Sequence, residues 1–158
     1  MVLRFNLKKF IISLAIPLFI GGLSAFIIRN NVNIYNKFNN PPLSPPSWVF
    51  PVVWTILYAL MGISLYLVWN KNIPCFKKRS AIILFSLQLI LNFIWAPVFF
   101  ILQNFLLSFT ILVFMWILTL GMIIAFYKIS KPAGILQIPY IIWLSFAAYL
   151  NYGVYLLN

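Results

Sequence analysis

An all-α integral membrane protein, a bundle of five transmembrane helices, is the fold that this sequence predicts, and three observations predict it. Of its 158 residues 65% are hydrophobic and only 7% charged, with a mean hydropathy of +1.06. Soluble domains are about half apolar and about a quarter charged, so this chain has too little polar surface to coat a water-soluble particle. Its apolar residues also come in uninterrupted blocks, and five of these reach the length of about 20 residues that a bilayer demands. Finally, the charges sit at the ends of those blocks and not within them.

The first block is 10–28. Arg4, Lys8 and Lys9 precede it as they would a signal peptide. The run is long for a signal sequence and no small-x-small cleavage site ends it, so it is read as a helix that can bend at Pro17 and at Gly21-Gly22. Residues 30–47 are rich in Asn and Pro, with Pro41-Pro42 and Pro45-Pro46. They predict an extended, stiff loop lying over the bundle as a lid. The second span is 48–69, followed by a basic loop, 70–80, and a third span, 81–102. Gln103-Asn104 is a very short link, so the fourth span, 105–127, returns antiparallel to the third. The fifth is 133–156. No soluble domain and no internal repeat interrupts the series, and 1–158 is expected to be one membrane domain.

Charge sets the expected orientation. Arg4, Lys8, Lys9, Lys71, Lys77, Lys78, Arg79, Lys128 and Lys131 fall on one side of a five-span chain, and Arg29 and Lys37 on the other. Positive residues favour the cytoplasmic side, so the N-terminus is expected in the cytoplasm, with the Pro-rich loop and the C-terminus outside. Because these cations flank apolar runs, they suit lipid headgroups and not a nucleic-acid groove. The Asn, Ile, Lys and Phe bias points to an AT-rich genome and hence to a bacterial cell membrane.

Missing residue types exclude whole chemistries. There is no Asp, Glu or His. Paired-carboxylate hydrolysis, a Ser-His-Asp triad and an ordinary zinc or di-iron site are therefore ruled out. Ion-coupled transport through intramembrane acids is ruled out as well. The single cysteine, Cys75, permits no intrachain disulfide.

Aromatic residues make up 19% of the chain, including six Trp. Trp48 and Trp69 bracket the second span at headgroup level, where indoles concentrate. Trp54, Trp95, Trp116 and Trp143 lie well inside their spans. Helical spacing puts Trp54, Tyr58 and Met61 on one face of the second span, and Gln88, Asn92, Trp95 and Phe99 on one face of the third. Tyr140, Trp143, Ala147 and Asn151 share a face of the fifth. Gln88 and Asn92 are costly to leave in hydrocarbon, so they either bond between helices or face a cavity. Trp54 and Trp95 each lie roughly 10 Å from the loop end of their helices at 1.5 Å per residue. Turned inward, the three stripes would enclose an aromatic cavity beneath the loop. Ala147, Ala148 and Gly62 would leave room in it for a flat, largely apolar ligand.

Three stretches carry a family resemblance. Pro45-Pro46-Ser47-Trp48-Val49-Phe50-Pro51-Val52-Val53-Trp54-Thr55-Ile56-Leu57-Tyr58-Ala59-Leu60-Met61-Gly62 is one, and Asn92-Phe93-Ile94-Trp95-Ala96-Pro97-Val98-Phe99-Phe100 another. The third joins Ala133-Gly134 to Pro139-Tyr140-Ile141-Ile142-Trp143, Phe146-Ala147 and Leu150-Asn151. In order and spacing this resembles the tryptophan-rich sensory protein, or translocator protein, family (TspO/MBR, peripheral-type benzodiazepine receptors). The resemblance implies a five-helix bundle, usually a homodimer, binding porphyrins such as protoporphyrin IX, haem, cholesterol or synthetic isoquinolines beneath the first loop. Carried over by motif, the site comprises Tyr35, Pro45, Trp48, Phe50, Trp54, Asn92, Trp95, Trp143, Ala147 and Leu150, beside Tyr58 from the stripe. No cofactor is required; porphyrin or haem enters as ligand. Light-dependent protoporphyrin breakdown, implied for some bacterial members, would make Trp54 and Trp143 the catalytic candidates.

Departures are also visible. Ile34, Pro42 and Leu43 stand where the family's loop often carries Trp, and Ser130 and Lys131 replace an acidic residue near the start of the fifth span. The sterol-recognition pattern lacks a basic residue after Tyr152, which demotes cholesterol. Four readings stay open, in this order: a porphyrin-binding receptor or sensor, a light-dependent porphyrin-degrading enzyme, an uncoupled transporter of porphyrin or lipid, and a scaffold whose aromatic stripes only pack helices.

Overall fold

The computed structural model describes residues 5–158; Arg4, which entered the charge count, lies outside them. Helix α1 spans Leu7–Ile28 and is unbroken through Pro17 and Gly21-Gly22. Asn6 caps it, its side chain accepting from the Lys9 N–H at 3.0 Å, which satisfies one of the orphan donors of the first turn. Then come α2 (Val49–Trp69), α3 (Cys75–Phe100), α4 (Phe105–Ile129), α5 (Lys131–Ile135) and α6 (Ile138–Leu157). Helix α5 and helix α6 together make the fifth span, so five segments are long and apolar enough to cross a membrane among the described residues.

These spans form a ring in which α1 lies between α2 and α3, α3 packs along α4, α4 along α5 and α6, and α5 returns to α2. Helices α3 and α4 form the expected antiparallel hairpin. Asn104 caps the start of α4 by accepting from Leu107 N–H at 3.0 Å, and Gln103 makes the turn at φ 50°. Met61, Met115, Met122, Phe126 and Leu144 fill the centre with no exposed surface. Close approach of α1 and α2 depends on Gly62: a Cβ there would sit 2.6 Å from Leu14 Cα. Gly62 thus serves helix contact and leaves no room for a ligand, contrary to the expectation from its size.

Three segments differ from the sequence-based expectation. The basic stretch before the third span is already helical from Cys75. Lys78 Nζ donates to the carbonyls of Trp69, at 2.9 Å, and Lys71; its charge satisfies the unpaired carbonyl end of α2 and does not mark a loop. The first loop is not uniformly extended either, because Val32–Lys37 forms a 3₁₀ helix. The proline pairs begin only at Pro41, so the preceding residues are free to turn, and turning buries Tyr35 and brings the Phe38 ring to 5.0 Å from that of Phe105. The fifth span breaks at Leu136-Gln137, with a proline in the first turn of each piece, where its missing N–H costs nothing. The Gln137 side chain fills the break, donating to Ser64 Oγ at 2.7 Å and to the Leu60 carbonyl at 3.2 Å.

Candidate functional site

Beneath the first loop lies a cavity of about 400 Å³, within the range typical of small-molecule sites. Helix α2 supplies Phe50, Pro51, Trp54 and Tyr58, and α3 supplies Asn92, Trp95, Ala96 and Phe100. Gly21, Ser24, Ala25 and Ile28 of α1 form the third wall, with Val32, Tyr35, Ser47 and Trp48 above. The walls are aromatic: Trp54 stacks on Tyr58 at 5.6 Å between ring centroids and meets Trp95 at 6.3 Å.

The floor is a hydrogen-bonded chain that no single helix could make. Tyr58 on α2 donates its hydroxyl to Asn92 Oδ1 on α3. Asn92 Nδ2 donates to the Tyr140 hydroxyl at 3.1 Å, and Tyr140 donates onward to Gln88 Oε1 at 2.7 Å. Trp95 Nε1 donates to Asn151 Oδ1 at 3.1 Å, and Asn151 Nδ2 to the Phe105 carbonyl at 2.8 Å. Tyrosine and amide groups in low dielectric must be paired or they destabilise the fold; here Gln88 is spent on helix joining, whereas Asn92 both joins helices and faces the cavity.

The loop above is fastened across the bundle. Tyr35 donates to the Pro45 carbonyl at 3.2 Å, and Asn40 Nδ2 to the Tyr35 carbonyl at 3.0 Å. Burial raises the Tyr35 hydroxyl above its ordinary pKa, with a smaller opposing effect from the Ser44 hydrogen bond, so it remains a neutral donor. At the far side, Tyr149 donates to the Pro42 carbonyl at 2.8 Å, and Asn39 and Asn158 exchange hydrogen bonds of 3.0 Å each. Pro41 lies on Gly153, where a Cβ would come within 2.5 Å of its ring.

Of the residues singled out from the sequence, Tyr35, Trp48, Phe50, Trp54, Tyr58, Asn92 and Trp95 line this one cavity. Pro45 lies behind Tyr35 as its hydrogen-bond acceptor. Trp143, Ala147 and Leu150 are not among the lining residues. Tyr140 of the fifth-span stripe joins the floor and Asn151 bonds Trp95 nearer the loop end, while Trp143 packs against Phe50 at 6.0 Å and Ala147 and Leu150 are buried. Trp116 is a packing residue, donating to Ser145 Oγ at 2.9 Å between α4 and α6.

The α1 wall was missed. Its signal is Gly21, Ser24, Ala25 and Ile28 at i, i+3, i+4 and i+7, a face of small residues on one side of a helix. Gly21 is required there, since a Cβ would overlap the Tyr58 ring at 2.3 Å.

Comparison with known proteins agrees with this architecture. The profile of the TspO/MBR family matches residues 13–157. The tryptophan-rich protein TspO of Chlorobaculum tepidum is 40% identical over 128 residues, covering 78% of each chain. The tryptophan-rich protein TspO of Archaeoglobus fulgidus is 36% identical over 154 residues, 97% of this chain and 99% of its own. The translocator protein of Homo sapiens is 33% identical over 139 residues, 87% of this chain and 80% of its own. With five apolar spans and a match that reaches into every one of them, the chain is a multi-pass membrane protein that belongs to the TspO/MBR family.

Proposed function

We propose that this protein is a membrane receptor of the sensor type that binds porphyrins, protoporphyrin IX or haem, and similar flat hydrophobic molecules in the cavity beneath its first loop. The observation that carries the reading is the contact of Trp54 with Trp95 in the wall of a 400 Å³ hollow whose lining is otherwise mostly aromatic, aliphatic and small residues. Aromatic faces favour a planar π-system in offset or edge contact. The polar groups facing the hollow are few, chiefly Asn92, Tyr35 and Ser24, which suits a ligand with a small polar fraction.

Titrating the folded protein with protoporphyrin IX in lipid nanodiscs, in the dark, tests this through tryptophan fluorescence. Saturable quenching is expected, because Trp54 and Trp95 would lie against the ligand. A folded protein whose fluorescence changes no more than that of free tryptophan in empty nanodiscs contradicts the proposal.

The same reading places the protein in a bacterial cell membrane with its basic end in the cytoplasm. Lys8, Lys9, Lys71, Lys77, Lys78, Arg79, Lys128 and Lys131 lie at one end of the ring of spans, and Arg29 and Lys37 at the loop end. The cavity then opens toward the outer leaflet.

A further inference from the structure

The cavity is not closed on all sides. Among its lining residues Ala25, Trp48 and Pro51 are exposed, Trp48 to 67%. Ala25 lies near the end of α1, and Trp48 and Pro51 at the start of α2, so the mouth lies between these two helices on the outside of the ring. The loop does not offer a second way in without breaking its hydrogen bonds to α6 at Tyr149 and Asn158. Ala25 sits three residues before Ile28, the last residue of α1, which is roughly 5 Å below the helix end. An exposed indole such as Trp48 favours the boundary between headgroups and acyl chains, which would set the mouth at that level.

The cation nearest this mouth along the chain is Arg29, at the end of α1. Arg29 follows Ile28 and lies one turn above Ala25, and residues four apart are neighbours on a helix. Its guanidinium lies over the exposed Phe26 ring, 4.0 Å from the centroid, a contact that holds it against the lipid-facing side of α1. The chain has no acidic side chain to neutralise it. Topological charge balance does not account for it either, since it sits at the end opposite the eight clustered cations.

We propose that the cavity takes anionic amphiphiles from the leaflet through the α1–α2 mouth, with the flat body against Trp54 and Trp95 and a carboxylate held by Arg29. This rests on the porphyrin-type reading above and adds to it a charge requirement and a residue that reads it. Neutral planar hydrophobes would fill the same walls but gain nothing from the guanidinium.

The test compares protoporphyrin IX, a dicarboxylic acid, with its neutral dimethyl ester, by tryptophan quenching in nanodiscs of zwitterionic lipid. Arg29→Gln is expected to weaken the diacid about fivefold, the size of one interfacial cation–anion contact, and to leave the diester unchanged. Arg29→Lys should recover most of the loss, and Lys131→Gln, at the other end of the molecule, should change neither ligand. Equal effects on acid and ester, or no effect on either, overturn the assignment of Arg29 while leaving the cavity reading intact. A wild-type protein that binds neither porphyrin overturns both.

Discussion

The Tyr58 hydroxyl on α2 donates to Asn92 Oδ1 on α3, and through Asn92 it is joined to Tyr140 on α6. Three spans thus meet at the floor of the aromatic cavity. The polar side chains that make this junction are buried, and each finds its partner on another helix. Function and stability therefore share residues, and the predictions below separate the two.

Tyr140→Phe should destabilise the bundle. The change leaves Asn92 Nδ2 and Gln88 Oε1 without the hydroxyl that both use. A cost of about 1–2 kcal/mol is expected for unpaired buried amides, moderated by the modest worth of side-chain hydrogen bonds between membrane helices. Thermal unfolding in detergent measures it, and an unchanged midpoint would show that the chain of hydrogen bonds contributes little.

Two glycines should respond in opposite ways. Gly62→Ala forces a Cβ to within 2.6 Å of Leu14 Cα, whereas Gly22 has nothing within 4 Å of the equivalent position. The first substitution should part α1 from α2 and lower the unfolding midpoint. The second should leave it level or raise it slightly, since alanine favours helix over glycine by about 1 kcal/mol.

Tryptophan replacements should sort by position. Trp54→Phe and Trp95→Phe remove indole surface from the cavity wall and should weaken protoporphyrin IX by about 1 kcal/mol each, or roughly fivefold in Kd. Trp143→Phe, against Phe50 but not in the cavity lining, and Trp116→Phe, between α4 and α6, should change Kd by less than about twofold. Quenching titrations of the four variants check the order. A loss at Trp143 equal to that at Trp54 would mean that the ligand sits elsewhere.

Orientation can be read from the lone thiol. Cys75 is exposed at the start of α3, beside Lys77 and Arg79. A membrane-impermeant maleimide should leave it unlabelled in intact cells and label it in inverted vesicles. Labelling from outside would reverse the proposed topology.

The spans were legible because lipid imposes a length and a composition on them that nothing else in the chain imitates. Their ends were less so. Lys77, Lys78 and Arg79 read as a loop from charge alone, and only the structure shows Lys78 capping the carbonyls of α2. In the site, motif and spacing found the α2 and α3 walls, because Trp54, Tyr58 and Trp95 share helical faces with Asn92, whose amide hydrocarbon disfavours. The α1 wall escaped because Gly21, Ser24 and Ala25 have no such chemistry; they matter for what they leave empty. On the fifth span periodicity did not separate lining from packing residues. It shows which side chains share a face, but Tyr140 and Asn151 are engaged in hydrogen bonds to α3, and Trp143 packs against Phe50 without joining the cavity lining.

Determining the structure of the protein with protoporphyrin IX bound, in lipid, tests the central claim most directly. The account predicts planar density between α1, α2 and α3, in contact with Trp54 and Trp95 and beneath Tyr35. Density on the outer face of α6 near Tyr149, with the cavity empty, would contradict it.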